Sequence, residues 1–215
     1  MLVNIYSLRK KTDRQLRKAV KVFILIGIGP DFLTLLSLIF AGIAAFFFWR
    51  SGQDTYPSLV FAFLFLVISS VLDALDGPLA REMNITSKRG DFLDHAFDRY
   101  ADVMIIGGIV FGGYAKYEIV SFLAISGVLL TSYFGVQAQA LDLSREYRGL
   151  LGRAYRLMLL IILSFFNIFF PQQVGYGLFK FSFLGWAMVI FAVLGILTAF
   201  QRTFYVWSIL SISSR

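Results

Sequence analysis

The sequence predicts an all-α integral membrane protein with six transmembrane helices and an amphipathic helix on the membrane surface at its N-terminus. Of the 215 residues, 58% are hydrophobic and 15% are charged, whereas soluble domains are about 25% charged. The apolar residues are grouped in six runs, each near the length of about 20 residues that a helix needs to cross a bilayer. The composition therefore favours a membrane protein over a soluble one.

The first element is a basic segment that precedes the first apolar run. Between Leu8 and Ile26, seven lysines and arginines alternate with apolar residues at helical spacings. This pattern is typical of a helix that lies in the membrane interface, and a positive cluster without ordered structure is the alternative. We expect residues 1–28 to form this basic juxtamembrane helix, within a single membrane domain that covers residues 1–215.

The six apolar runs predict the transmembrane helices and their orientation. They cover about residues 32–49, 58–80, 91–114, 119–140, 155–170 and 181–209. Basic residues are concentrated in the N-terminal segment, between the second and third runs, and between the fourth and fifth runs. Because cytoplasmic loops carry an excess of Lys and Arg, we expect these junctions and both termini to face the cytoplasm.

Seven of the thirteen acidic residues lie between Asp73 and Asp102. Asp73 and Asp76 are three residues apart, and Asp94 and Asp98 are four apart, so each pair shares one helix face. Ionised groups at membrane depth are costly and usually functional. Two antiparallel helices joined by a short cytoplasmic turn would bring the two faces together. Asp102 continues the second face, and we expect it to pair with an arginine.

The converging carboxylates predict a cation site. Four such groups would repel one another unless divalent cations neutralise them. The chain has no cysteine and one histidine, so the ligands must be oxygens, which suit Mg²⁺, Mn²⁺ or Ca²⁺. The alternative is a set of interfacial aspartates that pair with neighbouring lysines and arginines.

The spacing of these residues resembles the signature of the CDP-alcohol phosphotransferases, D-x-x-D-G-x-x-A-R-x8-G-x3-D-x3-D. All eight fixed positions are present, as Asp73, Asp76, Gly77, Ala80, Arg81, Gly90, Asp94 and Asp98. The segment Pro30-Asp31-Phe32-Leu33-Thr34 resembles the P-N-x-L-T sequence with which the first span of the family begins, with Asp31 in place of Asn.

The resemblance implies transfer of a substituted phosphate from a CDP-linked lipid to an alcohol, with release of CMP. It implies two divalent ions, Mg²⁺ or Mn²⁺, a homodimer, and the following roles. The metal ligands would be Asp73, Asp76, Asp94 and Asp98; Asp98 would also take the proton of the acceptor hydroxyl; and Asp73, Gly77, Ala80, Arg81 and Gly90 would contact the CDP group. His95 points away from Asp94 around the helix, which favours packing or hydrogen bonding over catalysis.

Three arginines indicate the acceptor. Arg153 and Arg156 share a face at the start of the fifth span, and Arg202 lies late in the sixth. Arginine within a membrane segment suggests an anionic ligand or an acidic partner, and its guanidinium is suited to phosphate. These segments resemble the phosphoinositol-phosphate synthase branch of the family, which implies inositol phosphate as the acceptor. The likeness to archaeal members implies CDP-archaeol as the donor, with CDP-diacylglycerol as the other choice.

Two features leave the acceptor open. Gln137 and Gln139 stand where this branch has basic residues, so glycerol 3-phosphate, serine and free inositol remain alternative acceptors. The arginines could instead pair with lipid headgroups, or with Asp142 and Glu146.

Two other classes of function fit the sequence less well than an enzyme does. A membrane transporter for divalent metals would distribute acidic residues along several spans, whereas the last three runs contain almost none. A lipid-binding scaffold would not need four aspartates on two helix faces. The net charge of +7 does not indicate nucleic-acid binding, because the basic residues lie between long apolar runs.

Overall fold

The computed structural model describes residues 19–141, 143 and 151–213, which are helical apart from short connections. In this part of the chain there is no β-strand, only an isolated bridge between Val174 and Phe181. The long helices are α1 (Pro30–Arg50), α2 (Thr55–Glu82), α3 (Lys88–Phe111), α4 (Glu118–Ala140), α5 (Arg153–Phe169) and α6 (Phe183–Ser213). Each of them falls on one of the six apolar runs, so the all-α prediction is confirmed.

Four of these helices, α1, α2, α4 and α6, are long and apolar enough to cross a membrane. The protein is accordingly an integral membrane protein. Helix α3 begins with a stretch rich in charged residues and is therefore not apolar enough to be counted with these four. Helix α5 has 17 residues and is too short.

The predicted N-terminal surface helix lies mostly on residues 1–18, which are outside the described residues. Its last part, residues 19–25, is helical. Val20 is only 1% exposed and packs in a cluster with Leu33, Leu72 and Leu79. The end of this segment is thus held by apolar contacts with the protein.

The chain divides into two compact units. The first comprises the chain up to Ala41 together with Phe65–Ala101, and the second comprises Gly42–Leu64 and Asp102 onward. Helices α1, α2 and α3 each contribute one part to each unit. The aspartates of the signature lie in the first unit, and the three arginines lie in the second.

In the first unit, α1 and α2 are joined by apolar packing and by two buried hydrogen bonds. The Thr34 hydroxyl donates to Asp76 Oδ2 at 2.7 Å, and the Ser69 hydroxyl donates to the Ser37 carbonyl oxygen at 2.8 Å. Interhelical hydrogen bonds of this kind are common in membrane proteins, because polar side chains in the bilayer have no water as a hydrogen-bond partner. They fix the register of Asp76 against the first turns of α1.

A short turn returns the chain from α2 to α3. Asn84 has φ 55, a left-handed conformation that asparagine tolerates at the end of a helix. The Ile85 amide donates to Ala80 O at 3.1 Å and the Asn84 amide to Arg81 O at 3.2 Å, the hydrogen bonds of a Schellman motif. Helix α3 is then capped by Ser87, whose Oγ accepts the Gly90 amide at 3.1 Å, as N-cap serines do.

In the second unit, α4 and α6 approach closely at a pair of glycines. A Cβ at Gly127 would lie 2.9 Å from Ile196 N, and one at Gly195 would lie 2.8 Å from Gly127 C. Thr131 donates to Gly195 O at 2.9 Å in the same contact. Small residues allow membrane helices to pack at this distance, and they bring α6 against the turn of α4 that Arg202 contacts.

Candidate active site

The aspartates predicted as metal ligands converge in the first unit. Ligand oxygens of Asp73, Asp76 and Asp94 all lie within 4.8 Å of one another, and ligand atoms of Asp94, His95 and Asp98 do the same. Oxygens on opposite sides of one Mg²⁺ or Ca²⁺ are about 4–5 Å apart. The spacing and the oxygen donors therefore fit divalent cations, and Asp94 is common to both groups.

Asp76, one of the predicted ligands, is held by two hydrogen bonds. It is 6% exposed, and both of its oxygens accept hydrogen bonds, Oδ2 from the Thr34 hydroxyl at 2.7 Å and Oδ1 from the Gly77 amide at 2.6 Å. Sequence reasoning assigned no role to Thr34. The available signal was its place in the Pro30–Thr34 segment, since a polar residue at a fixed position of an apolar helix indicates a specific partner.

Asp98, the predicted proton acceptor, is also 6% exposed. Its Oδ2 lies 3.3 Å from Nη2 of Arg99, which supplies positive charge next to a buried carboxylate. This pair belongs to the alternative in which interfacial aspartates bind neighbouring basic residues. That alternative gives no reason for Asp73, Asp76 and Asp94 to converge on one another, as they do.

His95 lies between two acidic side chains of α3. Its Nε2 is 3.4 Å from Asp91 Oδ1 and its Nδ1 is 3.5 Å from Asp94 Oδ2. These distances agree with the polar contact role predicted for it.

A cavity of about 230 Å³ opens beside the carboxylates. It is lined by Pro30, Asp31, Thr34, Asp76, Gly77, Ala80, Arg81, Ile85, Thr86, Ser87, Gly90, Asp91 and Asp94. These residues come from the first turn of α1, the end of α2, the α2–α3 turn and the start of α3. Four of the five residues predicted to contact the CDP group therefore line the cavity, namely Gly77, Ala80, Arg81 and Gly90. The fifth, Asp73, is not in the lining, but its carboxylate lies near those of Asp76 and Asp94.

The two glycines of the cavity each lie beside a neighbouring polar side chain. A Cβ at Gly77 would lie 3.4 Å from Nη1 of Arg81, and a Cβ at Gly90 would lie 3.4 Å from Ser87 Oγ. The guanidinium of Arg81 therefore lies over the backbone of Gly77. The positively charged side chain of Arg81 and the carboxylates of Asp76 and Asp94 therefore line the same cavity. An anionic diphosphate with bound divalent ions needs both kinds of group, a cationic side chain for its oxygens and carboxylates for the ions.

Asp31, which stands in place of the asparagine of the family's P-N-x-L-T sequence, also lines this cavity. Its Oδ2 lies 3.7 Å from Nη2 of Arg89, and both side chains are at least half exposed. Exposed pairs of this kind contribute little to stability. No role for Asp31 was predicted from the sequence, and its place in the cavity lining makes it part of the same site.

The arginines predicted to bind the acceptor lie in the second unit. Arg156 is 2% exposed; it donates from Nη2 to Asp102 Oδ2 at 3.0 Å and from Nη1 to Val128 O at 3.2 Å. The expected pairing of Asp102 with an arginine is thereby confirmed.

Arg202 and Arg153 complete this group. Arg202 is 7% exposed and donates from Nη1 to Thr131 O at 2.6 Å. Val128 and Thr131 are three residues apart on α4, so Arg156 and Arg202 lie against the same turn of that helix. Arg153 is partly exposed at the start of α5. The other predicted partners, Asp142 and Glu146, are outside the described residues.

The fold and the site define a membrane-embedded protein in which carboxylates that fit divalent ions lie beside a cavity lined by arginine and glycine. Residues 28–197 match the family described as CDP-alcohol phosphatidyltransferase, and the chain belongs to this family. Its members transfer a substituted phosphate from a CDP-linked lipid to an alcohol. The alternative of a divalent-metal transporter is not supported.

Individual relatives agree with this assignment. The chain is 31% identical over 180 residues to an archaetidylinositol phosphate synthase of Pyrococcus horikoshii, covering 84% of this chain and 89% of that protein. It is 29% identical over 192 residues to a phosphatidylinositol phosphate synthase of Streptomyces avermitilis, covering 82% and 71%.

The fold is that of a solved relative. The structure of Mycobacterium tuberculosis phosphatidylinositol phosphate synthase with CDP-DAG bound matches with a TM-score of 0.73 at 23% identity, covering 90% of this chain and 94% of that one. A structure of the same protein with manganese and citrate matches with a TM-score of 0.72.

Proposed function

We propose that the protein transfers the substituted phosphate of a CDP-linked lipid to inositol phosphate, using two Mg²⁺ or Mn²⁺ ions held by Asp73, Asp76, Asp94 and Asp98. The observation that carries the proposal is the convergence of these carboxylates beside a cavity that contains Gly77, Ala80, Arg81 and Gly90. The sharing of Asp94 by two groups of ligand atoms supports two ions rather than one.

The chain's own residues would divide the chemistry between them. Bound divalent ions neutralise the diphosphate and make CMP a better leaving group. Arg81 binds the diphosphate, and Gly77, Ala80 and Gly90 leave room for the cytidine. The Asp98 carboxylate takes the proton of the acceptor hydroxyl. The hydroxyl oxygen then forms a bond to the phosphorus that carries the lipid, and the bond from that phosphorus to CMP breaks.

The proposed lipid donor and the proposed oligomeric state are inferred from similar proteins. Both archaetidylinositol and phosphatidylinositol phosphate synthases are similar to this chain, which supports CDP-archaeol or CDP-diacylglycerol as the lipid donor. A homodimer is proposed from the family resemblance.

Inositol phosphate is favoured as the acceptor because these relatives are archaetidylinositol and phosphatidylinositol phosphate synthases. The arginines of the second unit support the same acceptor. Arg156 and Arg202 place two guanidinium groups against one turn of α4, and Arg153 is one turn before Arg156. We assign the most direct phosphate contact to Arg153, because it is the most exposed of the three.

We expect Arg153→Ala to raise the KM for inositol phosphate by about ten- to hundredfold, since a hydrogen bond to a charged group contributes roughly 1.5–3 kcal/mol. The KM for the CDP-lipid should change little. The measurement is CMP release at varied concentrations of each substrate. Arg156 is a poorer position for this test, because its removal leaves buried Asp102 without its arginine and destabilises the fold.

The control is Arg50→Ala, which removes an exposed arginine at the end of α1 that pairs with Asp54. It should leave both KM values unchanged. The same assay with serine, free inositol and glycerol 3-phosphate completes the test. A neutral acceptor that reacts faster than inositol phosphate would refute the arginine assignment, whereas glycerol 3-phosphate as the best acceptor would keep the arginines and change the product.

We further propose that α3 and α5 span the membrane as well, giving six spans with both termini and the active site on the cytoplasmic side. The α2–α3 turn is flanked by basic residues, Arg81 before it and Lys88 and Arg89 after it, whereas the charges at the α1–α2 connection, Arg50 and Asp54, balance. This asymmetry follows the distribution of Lys and Arg that orients membrane helices.

Single cysteines introduced into this cysteine-free chain test the orientation. Gln53→Cys and Ser87→Cys are suited to it because both residues are exposed, whereas Ser51 is 1% exposed and bonded to Tyr114. We expect a membrane-impermeant thiol reagent to label Cys at 53 in intact cells and Cys at 87 only after permeabilisation. Labelling of both positions from one side would contradict the proposed topology.

A further inference from the structure

The hydroxyl of Thr34 lies at an unusual place for a residue of an apolar helix. Thr34 and Asp76 are each 6% exposed, and Thr34 Oγ1 is 2.7 Å from Asp76 Oδ2. The same hydroxyl is 3.0 Å from the Pro30 carbonyl oxygen within α1. A hydroxyl has one proton to donate, and the shorter contact to a carboxylate is the stronger of the two. Its proton is therefore directed to Asp76.

This bond fixes the carboxylate in one orientation. Asp76 Oδ1 already accepts the Gly77 amide at 2.6 Å, so both oxygens are held and the carboxylate plane cannot rotate freely about its last bond. The remaining lone pairs are the ones available to a cation shared with Asp73 and Asp94. Groups that orient a ligating carboxylate in this way commonly change metal affinity by 10- to 100-fold when they are removed.

We infer that Thr34 is a positioning residue for the cation site, which sets the orientation of Asp76 and thereby the affinity for the divalent ion. The inference rests on the proposed function, in which Asp76 is a metal ligand. It extends the site from α2 and α3 to α1, a helix that contributes no carboxylate to either group of ligand atoms.

The same pair of helices provides a matched control. The Ser69 hydroxyl of α2 donates to Ser37 O of α1 at 2.8 Å, and both serines are 6% exposed. This bond is similar to the Thr34 bond in length, 2.8 Å against 2.7 Å, and in burial, and it also joins α1 to α2, but it involves no carboxylate. If Thr34 only held the helices together, removing either hydroxyl would have the same consequence.

The test uses the full-length protein and three variants. Thr34→Val keeps the shape and deletes the hydroxyl, Thr34→Ser keeps the hydroxyl, and Ser69→Ala deletes the control bond. Bound Mn²⁺ is measured from the electron paramagnetic resonance signal of the free ion, and the half-saturating Mn²⁺ concentration is measured from CMP release. Thermal unfolding reports whether each variant is folded, and Thr34→Ala replaces Thr34→Val if the latter is not.

We expect Thr34→Val to weaken Mn²⁺ binding by about 10- to 100-fold, and Thr34→Ser and Ser69→Ala to bind Mn²⁺ as the unmodified protein does. Saturating Mn²⁺ should restore part of the turnover of Thr34→Val. Mn²⁺ affinity in Thr34→Val that equals that of the unmodified protein, or equal losses in Thr34→Val and Ser69→Ala, would overturn the inference alone. Failure of the unmodified protein to bind Mn²⁺ would overturn the proposed metal site as well.

Discussion

Asp98→Asn should lower the rate of CMP release by about 10²- to 10⁴-fold, the contribution that a positioned general base commonly makes. The substitution preserves the size of the side chain and its ability to accept from Arg99, which lies 3.3 Å away. It removes the capacity to take a proton from the acceptor hydroxyl. Because Asp98 does not line the cavity beside Gly77 and Arg81, binding of the CDP-lipid should be largely retained.

The measurement is turnover together with equilibrium binding of a CDP-lipid to the same preparation. Glu82→Gln is the control, since it neutralises an exposed acidic residue at the end of α2 outside both groups of metal ligands. Turnover of Asp98→Asn close to that of the control would exclude Asp98 as the base. Loss of binding with unchanged turnover at saturation would instead assign it to the donor site.

Asp94→Ala is expected to have the second large effect. Asp94 is the one carboxylate that belongs both to the group with Asp73 and Asp76 and to the group with His95 and Asp98, among the described residues. Its removal would take a ligand from each proposed ion at once. Metal ions contribute several kcal/mol to reactions of this kind, which corresponds to a loss of at least about 100-fold in turnover.

Mn²⁺ binding distinguishes this effect from a general loss of charge. Asp94→Ala should bind fewer Mn²⁺ ions than the unmodified protein, whereas Glu82→Ala should bind the same number. Unchanged Mn²⁺ stoichiometry in Asp94→Ala would contradict the assignment of Asp94 as a ligand shared by both ions.

The helices were predictable because burial in a bilayer requires long apolar runs. The run at residues 58–80, for example, corresponds to α2, Thr55–Glu82. The differences fall at the helix ends, where polar residues such as Thr55 and Glu82 continue the hydrogen-bonded backbone although they add nothing to hydropathy. The spans formed by α3 and α5 remain predictions, because charge in α3 and the shortness of α5 weaken the signal that hydropathy gives.

The convergence of the aspartates followed from helix periodicity alone. Asp73 and Asp76 share a face, Asp94 and Asp98 share another, and a short turn between two helices is sufficient to bring such faces together. The sequence also indicated the glycines and Arg81, through the resemblance to the family signature. These residues are close in sequence, so local geometry determines most of their arrangement.

Contacts between distant helices could not be predicted in the same way. Thr34 and Asp76 are 42 residues apart, and Arg156 and Asp102 are 54 apart. Each pairing depends on the rotation of one helix against another, which apolar packing determines and which a single sequence does not specify. For this reason Arg156 was predictable as a candidate phosphate ligand, and Asp102 as the partner of some arginine, but the pairing of these two residues was not.

The central claim is a metal-dependent transfer from a CDP-linked lipid to a phosphorylated alcohol. Its most direct test is to incubate the purified protein with CDP-diacylglycerol, or with CDP-archaeol, together with inositol phosphate and Mg²⁺ or Mn²⁺, and to measure CMP and the lipid product by mass spectrometry. The proposed function predicts equal amounts of CMP and of a lipid that carries inositol phosphate. It predicts that a chelator abolishes both and that added Mg²⁺ or Mn²⁺ restores them. Formation of the same products at an undiminished rate in the presence of the chelator would contradict it.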